Sequence, residues 1–142
     1  MVTPRSLARR EEALSPHPKA GGSHNSVACE FFGAGMYAQA ALGFAKAVRL
    51  NPWKAVFKAN LARAYSCDGR LDEALEVITA ALRQAPDSAD VLFAAALISE
   101  ARKEPQAAVL FYRRCLACKP PILIERDARE NLETLLREEK KE

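Results

Sequence analysis

Glycine is scarce in this chain of 142 residues: there are six, and after Gly43 only Gly69 remains. So few leave no phosphate-cradling glycine loop and no nucleophile elbow, and they weigh against an architecture rich in tight hairpins. Histidine is limited to His17 and His24, which form no paired-histidine metal helix, and a metal site needs several converging ligands. Four cysteines, Cys29, Cys67, Cys115 and Cys118, are too scattered for the disulfide framework of a small secreted domain. They are expected as reduced thiols. Aromatic residues make up 7% and the formal net charge is +3, a poor basis for an electrostatic nucleic-acid binder. The longest apolar run, residues 91–98, falls far short of the roughly 20 residues that cross a bilayer. The first twenty residues carry Arg5, Arg9, Arg10, Glu11, Glu12 and Lys19 and no apolar segment, so they do not read as a secretory signal. A cytoplasmic protein is the expectation.

What the chain does hold is alanine, 27 residues, and leucine, 16. That excess favours helix. It is also periodic. Pro52, Pro86 and Pro120 stand 34 residues apart, and a fixed period of this length marks a repeat architecture. Other columns keep the register: Ala47, Ala81 and Cys115; Phe44, Ile78 and Tyr112; Ala40, Ala74 and Ala108; Gly35, Gly69 and Lys103; Phe31, Tyr65 and Ser99; Ala28, Ala62 and Ala96. Each unit reads as two helices. In the second, Phe57, Leu61, Ala62 and Tyr65 recur at helical spacing, Asp68-Gly69 supplies a turn, and Leu71, Ala74, Leu75, Ile78, Ala81 and Leu82 form another apolar stripe. The third unit replaces the turn glycine by Lys103 before Glu104-Pro105, where proline suits the first turn of the next helix.

The period, the helix-turn-helix unit and the column ending in proline resemble the tetratricopeptide repeat family. Leu61, Ala62, Tyr65, Gly69, Leu71, Ala74, Ile78, Ala81 and Pro86 fit the family signature, with alanine where glycine is usual at Ala62. The first unit matches through Phe31, Gly35, Tyr37, Ala40, Phe44, Ala47 and Pro52, while His24 stands where the family has a large apolar residue. The resemblance implies an all-α fold, a right-handed α-solenoid of three helix-turn-helix repeats with a C-terminal capping helix. The expected organisation is a disordered leader over residues 1–20, repeats over 21–54, 55–88 and 89–120, and a cap over 121–142. The cap carries Leu132, Leu135 and Leu136 as a narrow apolar stripe, as the polar closing element of a solenoid requires.

No catalytic constellation emerges, so the chain is expected to be neither an enzyme nor a holder of a cofactor or metal. Cys115-x-x-Cys118 lies at the C-terminal end of its helix, away from the N-terminal position that activates a thiol, and Cys115 falls in a small-residue column. His24 reads as a polar substitute at a fraying first helix. Stacked helix pairs form a concave face from the first helix of each pair, and the spacing assigns to it Asn25, Cys29, Val56, Asn60, Arg63, Asp90, Phe93 and Leu97. An asparagine amide there can hold a peptide backbone through its donor and its acceptor, and an arginine can take an acidic side chain. Members of the family that grip Hsp70 and Hsp90 C-termini use a clamp of lysine, asparagine, asparagine, lysine and arginine; the matching places here hold Asn25, Cys29, Asn60, Asp90 and Ala94. Only Asn60 agrees, which disfavours that partner. The expected function is a protein-interaction adaptor or chaperone-like module, similar in size to bacterial secretion chaperones, that binds a peptide or helix of another protein. The alternatives are a structural assembly module acting through helix edges or the cap, and an RNA-binding repeat built on Lys46, Arg49, Lys54, Lys58 and Arg63 around Trp53 and Phe57.

Overall fold

A computed structural model describes residues 3–13 and 20–141 of the chain. Among them every regular element is a helix: α1 (Pro4–Glu12), α2 (Gly21–Gly33), α3 (Tyr37–Leu50), α4 (Ala55–Cys67), α5 (Leu71–Gln84), α6 (Ala89–Ala101), α7 (Pro105–Ala117) and α8 (Ile122–Glu139). None is long and apolar enough to cross a membrane. The helices pack as successive hairpins, α2 on α3, α4 on α5 and α6 on α7, each stacked on the next, with α8 against α7 and α6. This is the stacking of a helical solenoid, in which each unit buries its apolar face against its neighbours.

The three hairpin turns close in one way. The amides of Met36, Arg70 and Glu104 donate to the carbonyls of Phe31, Tyr65 and Ser99 at 2.9, 2.8 and 2.9 Å. Such a cap needs a left-handed residue one place earlier, and Gly35, Gly69 and Lys103 have φ of 77°, 81° and 63°. The third turn therefore keeps the backbone of the other two without their glycine. Pro105 stands at the start of α7, as the sequence suggests.

Alanine accounts for the close approach of the helices. Ala40, Ala74 and Ala108 are fully buried, and Phe44, Ile78 and Tyr112 from the next column are each at most 3% exposed. Gly43 extends this pattern in α3: a β-carbon there would lie 2.9 Å from that of Ala28 on α2. Carbonyls at the unit junctions are satisfied across units, since Lys58 Nζ and Gln84 Nε2 each donate to Pro52 O at 3.0 Å and Arg114 Nη2 donates to Pro86 O at 3.1 Å.

Two features differ from the reading of the sequence. The leader, read as disordered, is helical over Pro4–Glu12. Thr3 and Ser6 form a capping box, Pro4 opens the helix, and Leu7 is completely buried in one cluster with Val27, Ala28, Phe31, Ala40 and Phe44. Arg10 pairs with Glu30, and Glu11 with Lys46 at 3.3 Å. A single leucine carries the apolar contact, so the periodicity is too weak to announce the helix. His24 is the second difference: it is 5% exposed within α2 rather than at a frayed end. The start of α2 is fixed instead by Gly21, where a β-carbon would lie 1.7 Å from Asn51 Oδ1. His17 lies outside the described residues.

Candidate interaction groove

Side chains from α2, α4 and α6 meet around Arg63. Asn60 Nδ2 donates to Asn25 Oδ1 at 3.0 Å, linking α4 to α2. The Arg63 guanidinium carbon lies 5.4 Å from the centroid of the Phe32 ring and 5.7 Å from that of Phe93, within the range of cation–π attraction. Arg63 thus touches all three first helices. Cys29, Phe32, Phe44, Asn60 and Arg63 line a cavity of about 70 Å³.

Arg63 combines an unpaired charge with a buried donor. Among the described residues it forms no ion pair, and its Nε is buried with no hydrogen-bond partner. A guanidinium in partly desolvated surroundings is a strong hydrogen-bond donor to a planar anion. Its field reaches the thiols on either side. Burial raises the pKa of Cys29 and of Cys67, and the positive charge of Arg63 opposes that rise in both.

Of the eight residues assigned to the groove, Asn25, Cys29, Asn60 and Arg63 come together directly. Phe93 joins them through Arg63 but is only 7% exposed; it packs in the cluster of α6, α7 and α8, with its ring 6.0 Å from that of Tyr112. Leu97 is partly buried against the same cluster. Both are therefore more enclosed than an open lining. Val56, 36% exposed, and Asp90 stand near the N-terminal ends of α4 and α6, and Asp90 is exposed. The site assignment omits two aromatic contributors. Phe32 lies one turn beyond Cys29 on α2, a spacing that gives it away, whereas Phe44 enters from α3 and carries no such signal.

The other candidate chemistries meet clear geometry. Cys115 is fully buried, its Sγ donates to Ala89 O at 3.4 Å, and burial, with Cys118 and Asp90 nearby, pushes its thiol up to about 11. That is a small packing residue. No cluster of three or more His, Cys, Asp or Glu side chains that could hold a metal occurs among the described residues. The basic segment does not present one stacking surface, because Phe57 is 5% exposed while Trp53 is 65% exposed, and Lys46 and Lys58 are engaged by Glu11, Gln84 and Pro52. A larger cleft of about 420 Å³ opens between α7 and α8, lined by Pro105, Val109, Arg113, Leu136 and Glu139 among others.

Comparison with known proteins bears on the same architecture. A tetratricopeptide repeat family model matches residues 31–98. No curated protein matches the chain. Among solved structures, the Sgt2 tetratricopeptide domain from Aspergillus fumigatus is similar at a TM-score of 0.73 and 19% identity, over 89% of this chain and 84% of that one. The first such domain of Spaghetti (RPAP3), bound to the HSP90 peptide SRMEEVD, gives 0.70 and 17%, over 84% and 98%. The first such domain of the human RPAP3 protein gives 0.70 and 18%, over 87% and 98%. At these identities the likeness speaks to the fold, a helical solenoid of the tetratricopeptide type, and the match to the tetratricopeptide repeat family itself lies in residues 31–98.

Proposed function

We propose that this chain is a non-enzymatic adaptor or chaperone-like module that holds an extended, acidic segment of a partner protein in the groove of α2, α4 and α6. The observation that carries the reading is Arg63: a cation clasped by Phe32 and Phe93, lacking a carboxylate partner, beside the Asn25–Asn60 amide pair. In this reading Arg63 takes an acidic side chain and Asn60 the adjacent peptide backbone. Phe93 and Leu97 support the site from behind, while Cys29, Val56 and Asp90 border it. A peptide-bound relative of the same fold, the Spaghetti domain with its HSP90 peptide, lends analogy. The ligand differs, however, because of the five clamp positions only Asn60 holds the family residue and Asp90 opposes a carboxylate.

The test is fluorescence polarisation against a positional-scanning library of extended peptides. Peptides with a fixed Glu or Asp should bind, and Arg63→Ala should weaken them about tenfold to a hundredfold, the range of a charge-assisted hydrogen bond. Asn60→Ala should weaken all peptides regardless of sequence. Equal affinity of acidic and neutral peptides, or full affinity in Arg63→Ala, Asn60→Ala and Phe93→Ala alike, would refute it. The runner-up, assembly through the cap, has one observation in its favour: Ile122 and Leu123 at the start of α8 are 80% and 63% exposed. A mass that stays monomeric by light scattering at high concentration removes that alternative.

A further inference from the structure

Peptide capture leaves unused the two nucleophilic groups beside Arg63. Cys29 on α2 lines the same cavity as Arg63, and Cys67 follows Arg63 by one turn of α4, so it shares that helix face. Both thiols are exposed, whereas Cys115 is buried and Cys118 is partly covered. Asn25 Nδ2 lies 3.9 Å from the Cys29 sulfur, a weak donor placed where a thiolate would form. Cys29 and the cation of Arg63 thus line one small cavity, with Asn25 beside the Cys29 sulfur.

We infer that Cys29, with Cys67 beside it, is a thiol-exchange site for small disulfides that carry carboxylates, the chemical class of glutathione disulfide, with Arg63 as the carboxylate anchor. The step balances within that pair of reactants. The Cys29 thiolate attacks one sulfur of the docked disulfide, the S–S bond breaks, and the departing thiolate leaves with the bonding electrons and takes up a proton. Cys29 is oxidised to a mixed disulfide and half of the reagent is reduced to a thiol. Burial keeps both thiols above their ordinary range, so anion docking rather than an acidic thiol selects this site. The inference goes beyond peptide binding and does not depend on it. An adduct here would occupy the space beside Arg63, which makes the groove sensitive to the surrounding disulfide pool.

The experiment uses the full chain and two reagents, the dicarboxylate disulfide dithiobis-nitrobenzoate and the neutral disulfide dithiodipyridine, with adducts mapped by mass spectrometry. The carboxylate reagent should modify Cys29 and Cys67 ahead of Cys115 and Cys118. Arg63→Gln should lower the anionic-to-neutral rate ratio about tenfold, the lower end of electrostatic focusing, and Arg63→Lys should retain most of it. Rising salt should erode the ratio in the unaltered chain. A ratio unchanged in Arg63→Gln, or earlier modification of Cys115 or Cys118, would overturn the inference. Should Arg63→Gln fail to fold, a salt-independent ratio in the unaltered chain overturns it equally.

Discussion

Lys103 offers a measurement in which backbone conformation is separated from packing. It occupies the left-handed turn position that Gly35 and Gly69 hold in the preceding hairpins, at φ of 63° against 77° and 81°. A left-handed residue with a β-carbon costs roughly 1–2 kcal/mol. Glycine in its place gives back about 0.4–1 kcal/mol through the freer unfolded chain. Lys103→Gly should therefore stabilise the protein by about 0.5–1 kcal/mol, the difference of those terms, or roughly 1–4 °C in Tm for a chain of this size. The Lys103 side chain is exposed and forms no ion pair among the described residues, so little is lost with it. The reciprocal change is equally clean: a β-carbon on Gly69 would meet nothing within 4 Å, so Gly69→Ala should cost about 0.5–1 kcal/mol from conformation alone. Urea unfolding followed by circular dichroism reads both, as midpoint shifts of opposite sign at unchanged slope. If Lys103→Gly is neutral or destabilising while Gly69→Ala is tolerated, the turn geometry assigned to the three hairpins is wrong.

Other outcomes follow from the same packing. Ala74→Leu should overpack the α4–α5 contact, where Ala74 is fully buried, and cost about 1–3 kcal/mol by urea unfolding. Tyr112→Phe removes a hydroxyl that donates to Glu100 and accepts from Asn131 Nδ2 at 3.0 Å, tying α8 to α6 and α7. A loss of about 1–3 kcal/mol is expected, with the cap loosened first in hydrogen exchange. Burial and Glu100 hold the Tyr112 phenol well above its ordinary range. The folded state therefore keeps that proton more tightly than the unfolded chain, so this contribution is complete below about pH 10 and is lost as pH rises beyond it. Alkaline titration of tyrosinate absorbance should show Tyr112→Phe to be less sensitive to that loss. Leu7→Ala should release α1, seen as fast exchange over residues 4–12 with the later hairpins protected, because Leu7 is its one buried apolar anchor; unchanged protection would show that the ion pairs suffice.

The repeat is legible in the sequence because stacking imposes the same demand every 34 residues: small residues where helices touch and large ones between pairs. Ala40, Ala74 and Ala108 announce the contacts, and Phe44, Ile78 and Tyr112 the fill. What escapes is whatever the period does not govern. α1 docks through Leu7 and two ion pairs, a pattern too short to register as periodic. The left-handed Lys103 is hidden because lysine carries no turn signal; only its place in the column gives it away. In the groove, spacing places Asn25, Cys29, Asn60 and Arg63 on one side of their helices, and they do meet. The stripe of Leu132, Leu135 and Leu136 announces the cap but not what it covers: α8 packs with α6 and α7 in the cluster that encloses Phe93. Spacing is blind to Phe44, which reaches the cavity from a second helix.

The claim at the centre is that Arg63 anchors an acidic side chain of the partner segment. Charge reversal tests it most directly: affinities are measured for the unaltered chain and Arg63→Glu, each against an acidic peptide from the library and the same peptide with its acid replaced by lysine. The account predicts that each single reversal weakens binding and that the doubly reversed pair recovers, with a coupling of about 1–3 kcal/mol. Zero coupling, with the lysine peptide bound no better by Arg63→Glu than by the unaltered chain, would contradict it.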